Sequence, residues 1–289
     1  MHNYVVVTQR IIRKIKDKYM KKQEQELALT EEQLALLNES YPVSDDDSKL
    51  FLPRFGMLAK DIIEETGTGK NKKIKVLQAA GSFYTEEDEG ETNEDGKNVW
   101  TKTFIDEENV DVHIVYHRYQ LKYYDKGLEK FYSTPIYDNP DQILPLYLDK
   151  KIVKKGTEKE LQAMYPKLTV KGKPSSDLKK LTILYIVYNG KLYQFNLSTS
   201  SGWEFSSYKR KINPATVVTI LGSKGEAFGS NVFSKTTFTK GRTINQNEFQ
   251  TIADAQGKVK ESAISDAQLL LSTSSKEVEE DMEETFNNM

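Results

Sequence analysis

The 289-residue sequence contains no cysteine, only three histidines (His2, His113 and His117) and two tryptophans. The missing thiols exclude disulfides, thiolate catalysis, iron–sulfur clusters and Cys-ligated zinc. Long apolar runs are also missing: no stretch approaches the ~18 residues that a membrane span requires. The N-terminal segment is basic but no apolar block follows it, so no secretory signal is read and a cytoplasmic location is expected.

The motifs of common catalysts are missing too. Thr66-Gly67-Thr68-Gly69-Lys70 has the look of a phosphate loop, but the spacing GxxxxGK[ST] is not met and Asn71 stands where Ser or Thr should bind Mg²⁺. His113 and His117 lie four apart in a segment that alternates like a strand, which would put them on one face but ~13 Å apart. No HExxH and no Ser-His-Asp signature is present. We expect no catalytic residue, no metal and no cofactor, and read a protein that is not an enzyme.

Charge of one sign is scarce only in total. Lys and Arg number 41 and Asp and Glu 43, a net of -2. By segment, residues 112–250 carry 22 Lys and Arg and 11 Asp and Glu, a net of +11, so the remaining 150 residues sum to -13. Two acidic runs dominate that remainder: Glu86 to Asn98 (net -6), read as a long loop, and Lys276 to Met289 (net -5), read as a disordered tail reached through Ser272 to Ser275.

Along the chain, residues 9–26 carry Ile11, Ile15 and Tyr19 at helical spacing, and Thr30-Glu-Glu-Gln33 forms a capping box for a second short helix. A further short helix is expected over Leu58 to Glu65. Strands are expected over 74–78, 112–123, 181–188, 191–197, 216–221 and 231–239. In the second of these, Val112, Ile114 and Tyr116 would share one face and His113, Val115, His117 and Tyr119 the other. Asn189-Gly190 between two apolar runs signals a hairpin. Pro135, Pro140 and Pro145 mark loop or edge segments, Glu158 to Met164 reads as a helix, and so do 245–255 and 264–271. The expected architecture is α+β and β-rich: an N-terminal helical extension (1–50), a core (51–271) built as a small β-barrel or open sheet with long insertions, and the acidic tail (272–289).

The basic block is also the aromatic block. Single-stranded nucleic acid is bound by that mixture, since cations track phosphates while flat rings stack on unpaired bases at roughly 1–3 kcal/mol per base. The stacking candidates are Trp203, Tyr193, Tyr119 and Tyr123. The phosphate candidates are Arg118, Lys122, Lys191, Lys209, Arg210 and Lys211. Composition does not separate DNA from RNA. Tyrosine on strands and lysine on surfaces would each be ordinary singly, so a virion structural or protein-interaction protein with no nucleic-acid role is the alternative.

In organisation, residues 74–289 resemble the single-stranded DNA-binding proteins that many tailed bacteriophages encode. The likeness rests on a strand followed by an insertion, the basic and aromatic sheet, the turn Lys224-Gly225-Glu226-Ala227-Phe228-Gly229 before Asn231-Val232-Phe233, a polar helix, and an acidic tail with an aromatic near its end. The resemblance implies an OB-type barrel acting in DNA replication and recombination, in the host cytoplasm if the chain is phage-encoded. It also implies an acidic tail that docks on replication or recombination proteins, through Glu279, Glu280, Asp281, Glu283, Glu284 and Phe286. The ending departs from that group, because Asn287-Asn288-Met289 follow Phe286. The basic segment Arg10 to Lys22 has no counterpart there; self-association on DNA and a plain solvated helix are both open for it.

Overall fold

The computed structural model describes residues 52–66, 73–93, 98–149, 151–168, 174–228 and 231–263. The expectations for 1–51 and 264–289, including the N-terminal helices, the tail and its six docking residues, lie outside these residues, as does the Gly67 to Lys70 segment. In chain order the strands are β1 (Arg54–Met57), β2 (Ile62–Thr66), β3 (Lys73–Gln78), β4 (Phe83–Thr92), β5 (Asn98–Phe104), β6 (Val110–Asp125), β7 (Lys130–Ser133), β8 (Leu144–Leu148), β9 (Lys151–Gly156), β10 (Pro166–Leu168), β11 (Pro174–Ser176), β12 (Lys179–Tyr188), β13 (Lys191–Leu197), β14 (Val217–Phe228) and β15 (Asn231–Thr243). The helices are α1 (Glu158–Ala163), α2 (Thr199–Lys209) and α3, which covers 246–263.

Eleven strands form one mixed sheet in the order β5-β4-β1-β13-β12-β6-β7-β8-β9, with β14 joined to β6 and β15 to β14. Among the described residues only β1 and β13 run parallel. The chain is thus β-rich and α+β, as expected, but among the described residues the ladder does not close into a small barrel. It curls instead: β15 returns to the chain after β1, where Ser234 N–H donates to the Ala59 carbonyl at 3.0 Å.

β12 is the spine, because from Thr182 to Val187 both its faces are buried, and Ile183 to Val187 accordingly carry no charged residue. Leu184 and Ile186 join Phe55, Phe83, Ile114, Phe195, Phe205 and Leu221 in a core under α2. Ile183, Tyr185 and Val187 join Val115, Phe249, Ile252 and Val259 in a second core under α3. A third, around Leu121, Tyr137, Leu144 and Leu161, lies under α1. The β12–β13 turn has Asn189 at φ 48° and Gly190 at φ 76°, the left-handed pair that a two-residue hairpin demands.

Several expectations are corrected. The first part of the acidic run is strand and not loop: Glu86 to Thr92 belong to β4, which pairs with β5, and four of their carboxylates find partners. Glu86 pairs with Arg54 at 3.5 Å, Glu87 with Lys191 and Tyr193, Asp88 with Asn98, and Glu89 with Thr101. Leu58 to Glu65 is not a helix. Leu58 to Asp61 make a bend held by Leu58 N–H to Ser82 O (2.9 Å) and Ala80 N–H to Asp61 Oδ1 (2.7 Å), and the β-branched Ile62-Ile63 then start β2, which pairs with β3. Lys224 to Phe228 continue β14 and do not form a turn. Pro145 lies inside β8, opposite Lys155 of β9 and outside the two residues, Tyr147 and Leu148, that pair with β7, so it sits where β8 has a strand on one side only. The helix expected to end at 255 runs on through Gly257.

A bulge in β6 corrects the strand faces. The register moves from Tyr185 opposite Tyr116 to Ile186 opposite Ile114, leaving Val115 as the extra residue. Beyond it, His117 and Tyr119 share the α2 side with Val112 and Ile114, whereas His113 faces α3, where it meets Glu248 at 3.5 Å. The two histidines therefore lie on opposite faces.

Candidate functional site

The α2 helix is built from a sequence with little helical signal, TSSGWEFSSYK. It forms because Ser198 caps it, accepting from Ser201 N–H at 3.3 Å, and because Ser201, Gly202, Phe205 and Tyr208 make one inward stripe. Gly202 is what seats it: a β-carbon there would stand 3.0 Å from Thr182 Oγ1 on β12. Ser201 Oγ also accepts from Thr236 N–H at 2.9 Å, tying the helix to β15. The outward side then carries Trp203, which is 73% exposed.

On the other side of β12, α1 begins with a complete capping box, Thr157 to Glu160. Between the two helices lies a groove of about 820 Å³, lined by Tyr119, Lys159, Lys179, Lys180, Trp203 and Glu158 among others. Its one carboxylate is already committed: Glu158 accepts from Tyr137 OH and from Lys180 Nζ, both at 2.8 Å. Burial, then that hydrogen bond, pushes the Tyr137 hydroxyl far up. The groove thus presents cations and rings with little opposing charge.

Tyr119 forms its inner wall. Lys180 Nζ stands 3.9 Å over the ring, and Lys209 donates to the hydroxyl at 2.7 Å. Lys209 also donates to His117 Nε2 at 2.7 Å. Burial, reinforced by Lys209 and Lys180, pulls His117 down to about 4.

Of the residues singled out from sequence, the structure brings together Tyr119, Trp203 and Lys209. It places the others elsewhere. Arg118 is 2% exposed on the opposite face, donating to Ile136 O at 3.1 Å and paired with Asp138 at 3.3 Å, so it does not reach a phosphate. Tyr193 is 5% exposed and, with Lys191, is bound to Glu87. Tyr123 stacks on Tyr132 at 5.8 Å beside Tyr165. Arg210 folds back on Ser206 O and Ser207 Oγ, both at 3.2 Å. Lys211 is exposed past the helix end, and Lys122 lines a separate polar cavity of about 500 Å³ with Arg54, Gln194 and Asn196. Sequence reasoning missed Lys159, Lys179 and Lys180, since it sought cations beside aromatics in sequence. The adjacent pair Lys179-Lys180 at the mouth of the hairpin was the available signal.

Among the described residues no cluster of His, Asp and Glu could hold a metal ion, and no helix is long and apolar enough to cross a membrane. Fold and groove together define a β-rich α+β protein with a cationic, aromatic cleft. No family model matches the sequence, no curated protein is found similar to it, and no solved structure matches the fold.

Proposed function

We propose that the chain binds single-stranded nucleic acid without sequence preference, DNA before RNA, in the groove between α1 and α2. The observation that carries this reading is Trp203: a ring left 73% exposed on the rim of a groove supplied with Lys159, Lys179 and Lys180. An exposed indole costs solubility unless something stacks on it, and unpaired bases do so beside a cationic track. Tyr119 supplies a second ring at the inner wall. The curl that carries β15 back to the end of β1 is consistent with an opened version of the small barrel such proteins use. In this reading the acidic tail recruits replication or recombination proteins through Glu279, Glu280, Asp281, Glu283, Glu284 and Phe286.

The test is fluorescence anisotropy with labelled oligo-dT at low and moderate salt, with Trp emission read in parallel. Salt-sensitive binding that quenches Trp emission, with the quench and about 1–3 kcal/mol of affinity lost in Trp203→Ala, supports the proposal. Absence of binding at low salt overturns it and returns the reading of a structural protein.

A further inference from the structure

Beside the groove, behind Tyr119, lies a lysine held by neutral groups alone. Lys209 is half-buried, and its two hydrogen bonds go to neutral acceptors, His117 Nε2 and Tyr119 OH, each at 2.7 Å. Among the described residues no Asp or Glu forms an ion pair with it. Lys180 stands across the same phenol ring, 3.9 Å from its centroid. A half-buried ammonium without a counter-charge is a place where an anion gains from binding.

We infer that Lys209 and Lys180, flanking Tyr119, form a niche for a phosphoryl group, and that filling the niche is coupled to proton uptake by His117. This rests on the reading of the groove as a phosphate-binding track and names the residues at its inner end.

The coupling follows from the geometry. A neutral His117 accepts the hydrogen bond of Lys209 through Nε2. A protonated ring has no lone pair to offer, and it would set a second cation 2.7 Å from the ammonium. The groups facing His117 are Lys209 and Phe205 from α2, Lys180 from β12, and Tyr116 and Tyr119 from its own strand. The charged groups that act on it are thus both cations, and the nearest carboxylate, Glu158, lies beyond Lys180, 2.8 Å from its ammonium. A dianion lying against Lys209 and Lys180 reverses the local field, and the proton that the ring then takes comes from solvent.

The experiment is a pH titration of the imidazole signals of the full chain by NMR. The His117 signal is assigned by its loss in His117→Gln. Three samples are compared: the protein alone, with saturating oligo-dT, and with inorganic phosphate. The expected result is a His117 midpoint raised by about one pH unit or more by either anion. The rise should be lost in Lys209→Gln and kept in Lys209→Arg. A midpoint unmoved by both anions, with anisotropy showing the oligonucleotide bound, overturns the niche while leaving the nucleic-acid reading intact. A midpoint raised by phosphate in a protein that does not bind oligo-dT keeps the niche and overturns that reading instead. If neither anion acts, both fall.

Discussion

The hydroxyl of Tyr193 donates to Glu87 Oε1 at 2.7 Å, joining the buried core under α2 to the acidic hairpin β4–β5. Lys191 donates to the other oxygen of the same carboxylate at 2.6 Å. The hydrogen bonds from Lys191, then Tyr193, hold Glu87 below the usual carboxylate range. A tyrosine and a lysine that composition assigns to bases and phosphates are therefore engaged within the fold. Tyr193→Phe should lower stability by about 1 kcal/mol in urea unfolding, while oligo-dT affinity stays unchanged. A loss of affinity at unchanged stability would return Tyr193 to the binding surface.

His117 makes stability depend on pH. Burial first, then Lys209 and Lys180, lowers its pKa from 6.5 to about 4 in the folded chain. The unfolded chain therefore takes the proton first, so the contribution is complete above the unfolded value and is lost as pH falls from there toward the folded one. The full span corresponds to about 3 kcal/mol. Burial shifts His113 in the same direction, so it adds to the slope. Glu87 and Glu248, both lowered, act only below the carboxylate value of 4.5, outside most of this window. Unfolding midpoints in urea across mildly acid pH should fall steeply for the parent chain and less steeply for His117→Gln. Equal slopes would show that His117 is not the group.

Gly190 holds φ at 76°, and a β-carbon there would meet nothing within 4 Å. The cost of Gly190→Ala is thus backbone strain alone, about 1 kcal/mol. Thermal unfolding should report it, and the β12–β13 register should stay unchanged. A neutral substitution would mean that the turn relaxes away from the left-handed pair.

That turn was legible in the sequence because its cause is local: two residues dictate it and two apolar runs flank it. The strand over 181–188 was legible for the same kind of reason, as an apolar run. What was hidden depends on residues far apart. The β6 bulge has no compositional mark, yet the single extra residue Val115 reverses the faces of His117 and Tyr119. The acidic run was read by its charge density, whereas Glu87 is stabilised by Lys191, 104 residues away. Helix α2 hides among serines, since its inward stripe needs only Phe205 and Tyr208 as large apolar anchors. For the groove, sequence supplied Tyr119, Trp203 and Lys209 as chemistry. Their meeting with Lys159, Lys179 and Lys180 follows from α1 and α2 standing on two sides of one groove, with β6 and β12 between them, which no short window contains.

Gly202 tests whether that arrangement makes the groove. Its backbone lies so close to β12 that a β-carbon would stand 3.0 Å from Thr182 Oγ1 and 3.6 Å from Thr182 Cβ, and Thr182 is itself only 6% exposed. Gly202→Val adds two further methyls on that side, so the helix must lift from the sheet, at about 1–3 kcal/mol of overpacking. Trp203 and Lys209 ride on the same helix and would move away from Tyr119, which β6 holds in place. Ser207→Val supplies the control, because Ser207 is exposed on the same helix and tests the β-branched side chain without the wedge. The expected outcome is a destabilised Gly202→Val chain whose oligo-dT affinity falls under conditions where it is still folded, beside a Ser207→Val chain near the parent in both. If Gly202→Val loses stability but binds as the parent does, the seating of α2 is structural only and the groove between the helices is not the binding surface.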